Sequence, residues 1–398
     1  MTEDRKSIYA WIIILVVAVT AFGINFIHFQ VAGLAPKIFA AAQASPAQFG
    51  LMMGLPLLAA ASLGIPFGAM GDRYGVKLMV GLGLVVSLIG TIGRYASEPV
   101  MSHYFFWMFL IGVSNAALNA NFIKVLGAWL PPQKVGLGVG CYLAGIGLGQ
   151  SSAVAVGASF EGLGSAFMFS IWLIAAILVI WLVFLKAAPA GAPKMAPQPM
   201  IGNLKYVMGK PAVWVGGVCI LLMLGAYVTL NSFLVNSLIQ VKGVAPETAG
   251  IAASVVAFSL MFGSLAAAWL AGLVGRSRIF LVGAGAISAV CAYLAWNMEY
   301  GNLAIVALAG AGFFSGAFLS IILALPMLLE YIGPAYAGSA GGVLSTLQSG
   351  GGFALPFLLP MLAGGQPDGI FNLIALSFGL MALISLMLPE MLARKAKS

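Results

Sequence analysis

Long apolar runs follow one another along nearly the whole chain, separated by short interruptions rich in Gly, Pro and charge. They are too long and too uniformly apolar for surface helices with one wet face. Each reaches the roughly 20 residues that a bilayer-crossing helix needs. The pattern predicts spans over 8–34, 46–70, 78–96, 103–128, 135–158 and 164–186. A second set follows over 212–238, 246–272, 279–297, 302–329, 335–362 and 370–392. Only the segment 187–211 breaks this rhythm; it is rich in Pro and Ala and carries Lys194, Lys205 and Lys210. It reads as a linker between two six-helix halves, 1–186 and 212–398. The expected fold is an all-α integral membrane protein, with twelve transmembrane helices in two pseudo-symmetric bundles.

Composition sharpens this picture. The chain is 62% hydrophobic and only 7% charged, against about 25% charged in a soluble domain. Its mean hydropathy is +1.07. Most of such a surface must face lipid, and 398 residues leave no room for a sizeable soluble domain beside twelve spans. The formal charge of +8 would suggest nucleic acid on a soluble protein, but here it reads as topology. With both termini inside, fourteen of the 18 Lys and Arg residues fall inside. Lys37, Arg94 and Lys242 fall outside or at the outer rim, and Lys124 lies within a span. That asymmetry predicts cytoplasmic N- and C-termini in an inner (cell) membrane. The start, MTEDRKSIYA, shows no cleavage site and reads as the lead-in to an uncleaved span. Cys141, Cys219 and Cys291 lie in apolar runs and read as small core residues.

The loop after the second span reads Gly68-Ala-Met-Gly-Asp72-Arg73-Tyr-Gly75-Val-Lys77. Gly68 allows close helix approach, and Gly75 permits a tight turn. Asp72 can accept from Arg73, Lys77 or a helix N-terminus. This stretch resembles the loop signature of the major facilitator superfamily, G-x-x-x-D-R-x-G-x-K/R, between spans two and three. The resemblance implies that Gly68, Asp72, Arg73, Gly75 and Lys77 govern conformational switching, and that the protein is a monomer with two halves rocking about a central site. The loop after span eight, Leu273-Val-Gly275-Arg276-Ser-Arg278, is a degenerate copy without the acid.

Further stretches resemble the cyanate and nitroimidazole-type porters and, more distantly, nitrate and oxalate/formate-type porters. They are Val31-Ala-Gly-Leu-Ala-Pro36, Gly93-Arg94, Asn121-Phe-Ile-Lys124 with Trp129-Leu-Pro131, Gly225-Ala-Tyr227, and Ala337 to Gly342 with Gln348. The chain departs from those families at Asn25-Phe-Ile-His28-Phe-Gln30, where cyanate-type porters carry an Arg in span one. It also lacks the buried arginines that nitrate porters carry in spans two and eight.

Polar side chains at bilayer depth are costly unless they face a cavity or a partner. Lys124 reads either as a contact for a substrate anion or as a lysine snorkelling to the inner interface. Arg94, near the outer end of span three, reads as an outer-rim charge. Asn25 and His28 share a helical face, with Gln30 close by, and His28 is a candidate for substrate contact or proton sensing. Asn115 and Asn119 share a face, as do Tyr227 and Asn231. Both pairs read equally as cavity lining and as interhelical glue. Tyr142, Gln150 and Gln348 complete the substrate candidates.

None of the ten acids falls in the middle of a predicted span. A partly positive, acid-free interior favours an anionic substrate. The expected function is transport of a small organic or inorganic anion, carboxylate or cyanate-like, by uniport or exchange. Export of an uncharged or hydrophobic compound and a non-transporting membrane sensor are the alternatives. An enzyme would need clustered His, Cys or acids, and the two histidines lie far apart. No cofactor, metal or nucleic-acid partner is expected.

Overall fold

The computed structural model describes residues 3–130, 132–186, 205–329 and 331–390. Their regular structure is helical. The first eight helices are α1 (Glu3–Gly33), α2 (Ala35–Ala42), α3 (Pro46–Tyr74), α4 (Val76–Ala96), α5 (Met101–Asn119), α6 (Phe122–Trp129), α7 (Pro132–Ser159) and α8 (Leu163–Phe184). A single turn, α9 (205–208), precedes α10 (Pro211–Lys242), α11 (Pro246–Val274), α12 (Ser277–Asn297), α13 (Asn302–Leu328), α14 (Gly333–Leu362) and α15 (Pro367–Ser385). Among the described residues twelve stretches are long and apolar enough to cross a membrane. The protein is a multi-pass membrane protein. Most of the expected linker, 187–204, lies outside the described residues.

Two elements differ from the sequence expectation. The loop expected after span one contains the short helix α2, started by Pro36 in its first turn. It ends at Gln43, and Ser45 then opens α3 with a capping box, in which Ser45 and Gln48 satisfy each other's backbone N–H groups. Span four is not one helix. It breaks at Ala120–Asn121 into α5 and α6. Asn121 sits at φ −126°, and its Nδ2 donates to the Ala117 carbonyl (2.9 Å) and across to the Phe67 carbonyl of α3 (3.1 Å). A side chain that bonds the backbone in this way competes with helix continuation.

The chain divides into two compact units: Met1–Met195 with Val244–Ser254, and Ala196–Gly243 with Val255–Ser398. In the first unit α1 packs along α7, α3 on α5, and α4 on α5 and α8. The α1/α7 seam is closed by glycine, because a Cβ at Gly145 or Gly149 would collide with the Ala18 or Phe22 carbonyl. In the second unit α10 packs along α14 and α15, and α12 on α13 and α15. There a Cβ at Gly351 would collide with the Leu221 carbonyl of α10. Small residues at such seams let backbones approach where no water drives association.

Candidate functional site

The polar residues of α1 are bonded to three different helices. Asn25 Oδ1 accepts from Gln150 Nε2 of α7 (3.2 Å), while its Nδ2 donates to the Ala21 carbonyl (2.9 Å). His28 is buried, and its Nε2 donates to the Met53 carbonyl of α3 (2.8 Å). A carbonyl can only accept, so Nε2 carries the ring proton. Gln30 is fully buried: Nε2 donates to the Ala166 carbonyl (3.0 Å) and Oε1 accepts from the Ser170 hydroxyl (2.6 Å), both in α8.

Arg94 joins the same cluster. It was expected at the outer rim, yet it is 1% exposed. Its guanidinium lies 4.3 Å from the Phe167 ring centroid and donates to Ser170 Oγ (3.3 Å) and Met108 Sδ (3.5 Å). Among the described residues its Nε has no hydrogen-bond partner. Helices α5 and α8 cover the end of α4 here, so the side chain lies among protein atoms instead of reaching the interface.

A second cluster surrounds the span-four break. Tyr142 of α7 donates its hydroxyl to Asn119 Oδ1. Its ring stacks on Phe122 at a centroid distance of 3.8 Å and an interplanar angle of 14°. Tyr142 is buried, whereas Asn119 is exposed. Lys124 is half-buried and donates to the Gly68 carbonyl (2.8 Å). Asn115, one turn before Asn119, is buried.

The switch-like loop turns on Gly75, whose φ of 95° lies in the region that favours glycine. Its N–H bonds the Gly71 carbonyl (3.1 Å). Arg73 is exposed and lies 5.1 Å from the Tyr74 ring centroid. The Lys77 carbonyl accepts from Trp181 Nε1 (3.0 Å). The Asp72 side chain lies outside the described residues. The related loop in the second unit turns on Gly275 at φ 69°. It carries no acid of its own, but Glu390 supplies one from beyond α15: Oε1 accepts from Ser277 N and Oγ (2.5 Å each), and Oε2 from Arg278 N (3.4 Å). A carboxylate there meets the positive end of α12.

The second unit treats its candidates differently. Tyr227 and Asn231 of α10 are buried, and Asn231 Nδ2 bonds the Tyr227 carbonyl of its own helix (3.0 Å). Among the described residues Asn231 Oδ1 has no hydrogen-bond partner. Gln348 of α14 is half-exposed. The structure thus groups Gln30 with Arg94, Asn25 with Gln150, Asn119 with Tyr142, Lys124 with Gly68, and Tyr227 with Asn231. Ser170, Phe122 and Glu390 complete these groups and were not singled out as candidates. Ser170 carried a signal, as one of two hydroxyls in the otherwise apolar Leu163–Phe184. Among the described residues no three His, Cys, Asp or Glu side chains gather as a metal site requires.

The family model of the Major Facilitator Superfamily matches residues 11–356. The chain belongs to the major facilitator superfamily. Two similar proteins compare with this major facilitator as follows. An uncharacterized transporter of the same type from Mycobacterium tuberculosis is 24% identical over 365 residues, 87% of this chain and 78% of that protein. The nitrite extrusion protein of Bacillus subtilis is 22% identical over 341 residues, 84% of this chain and 82% of that protein. Among solved structures, a bacterial homologue of the human lysosomal transporter Spinster, inward-facing and unoccupied, matches at TM-score 0.76 and 16% identity, covering 97% of this chain and 96% of that one. The occupied form of that homologue matches at TM-score 0.69. These likenesses establish the major facilitator fold.

Proposed function

We propose that this major facilitator carries a small organic or inorganic anion, by uniport or exchange. The halves 1–186 and 212–398, joined by 187–211, alternate access to the substrate, and both termini lie in the cytoplasm. One observation carries the reading. Lys124 is a cation five residues inside the end of its span and Arg94 a fully buried cation in the last turn of its own, while every described carboxylate lies at or beyond a span end. Such an interior attracts anions and repels cations. The nitrite extrusion relative supports an anion, and the crowding of Lys and Arg into one set of loops supports the orientation.

The test is uptake by purified protein in proteoliposomes, using nitrite and formate as probes. Saturable uptake of either one, competed by the other and absent from protein-free vesicles, is expected. If neither probe moves or competes while a neutral compound does, the anion reading is wrong.

A further inference from the structure

We propose that Asn119 presents its carboxamide N–H groups to an oxygen acceptor on the substrate, and that Tyr142 holds it in that orientation. This rests on the anion reading above and gives it a chemistry. Asn119 ends α5, ten residues before Trp129. The whole of α6 lies between it and the end of the span. A polar residue so deep is costly in lipid and is normally turned inward or toward water. Asn119 is exposed, and we take the face it presents to be the wet one, since a carboxamide at that depth is costly against lipid.

The direction of the amide follows from its neighbour. A carboxamide has one acceptor oxygen and two donor hydrogens. The Tyr142 hydroxyl occupies Oδ1, which leaves Nδ2 turned outward. Among the described residues no protein group accepts from Asn119 Nδ2. Tyr142 cannot easily swing away, because it is buried and its ring lies flat on Phe122. Phe122 is fixed in turn by the break, since Asn121 is bonded to both Ala117 and Phe67. The broken span therefore does more than bend: it ends one helix at a donor and starts the next with the ring that steadies it.

Such a site accepts a hydrogen-bond acceptor, such as an oxyanion or carboxylate oxygen, and is indifferent to a group that can only donate. Asn119 is the specificity-determining contact; Tyr142 and Phe122 are positioning residues.

The experiment measures nitrite and formate transport in proteoliposomes for wild type, Asn119→Asp, Asn119→Leu and Tyr142→Phe. Asn119→Asp keeps an acceptor for the Tyr142 hydroxyl, so its fold is expected to persist, as judged by size exclusion. It replaces the donors with negative charge, and KM is expected to rise roughly tenfold or more. Asn119→Leu should raise KM without adding charge. Tyr142→Phe should raise KM about threefold with kcat kept, because the amide is present but no longer held; a purely structural role would lower active protein and leave KM unchanged. If wild type transports the probes and Asn119→Asp has the wild-type KM, this inference is wrong and the anion reading stands. If wild type transports neither probe while a neutral compound moves, both are wrong.

Discussion

The two helices that open the units, α1 and α10, handle polarity in opposite ways. In α1 the side chains reach outward, Asn25 to α7, His28 to α3 and Gln30 to α8. In α10 they turn back on their own helix: Thr229 bonds the Gly225 carbonyl (2.7 Å), Asn231 that of Tyr227 and Ser232 that of Val228 (2.7 Å). Yet both helices pack along a partner through glycine. Outward bonds fix the rotation of α1 against three neighbours. Back-bonds satisfy Thr229, Asn231 and Ser232 locally, and the ties of α10 to its surroundings lie elsewhere, at Cys219, whose Sγ is 3.6 Å from Ser385 Oγ of α15, and at Lys242, which donates to the Met298 carbonyl (3.3 Å).

The largest effects should be alike in both units. Gly149→Leu in α7 and Gly351→Leu in α14 each drive a side chain into a facing carbonyl, costing about 3 kcal/mol or more. Both are expected to lose the monodisperse peak in detergent. A benign result in one unit only would mean that its seam is looser than its twin. A smaller, unequal pair tests the contrast itself. Gln30→Leu removes the bond to the Ala166 carbonyl and the 2.6 Å acceptor of the Ser170 hydroxyl, leaving that hydroxyl only the longer Ala166 carbonyl (3.4 Å), for a loss of about 2 kcal/mol. Asn231→Leu removes a local bond and an orphan oxygen, and should stay within about 0.5 kcal/mol of wild type. Thermal unfolding in one detergent reads both, and equal losses would dissolve the difference between α1 and α10. The smallest effect concerns the loops. Glu390→Gln keeps the size but removes the charge at the start of α12, for about 1 kcal/mol, and its penalty should shrink as salt is added.

Much of the fold was legible in sequence because lipid demands long apolar runs. Leu163–Phe184, for example, could hardly be anything else. The turn at Gly75 was legible too, since its conformation depends on one residue's missing Cβ. The helix at Ala35–Ala42 was not, because eight residues give too little periodicity to separate a helix from a loop. Nor was the break at Asn121, which depends on a Phe67 carbonyl 54 positions away. Among the site candidates, residue type and depth pointed to Asn25, His28 and Gln30, but not to what they touch. Ser170 lies 140 positions from Gln30. For Arg94 the distance from the span end was visible, while the cover of Phe167 and Met108 was not. Glu390 shows the same limit: a loop without an acid received one from a segment more than a hundred residues later.

The broken span has a consequence for how the chain is made. Among the twelve candidate spans, Met101–Trp129 and Ser339–Leu362 are the least apolar, and Leu163–Phe184 is the most. A segment leaving the ribosome enters lipid from the translocon according to its own apolarity, and amide or charged side chains within it oppose entry. Leu163–Phe184 can make that step alone. Met101–Trp129, with Asn115, Asn119, Asn121 and Lys124, needs company. Its bonds to Phe67 and Gly68 supply it, because α3 has been synthesised by then and offers carbonyls to Asn121 and Lys124. The contacts that shape the break in the finished protein thus also give a reluctant segment its way into the bilayer, as the second member of a pair.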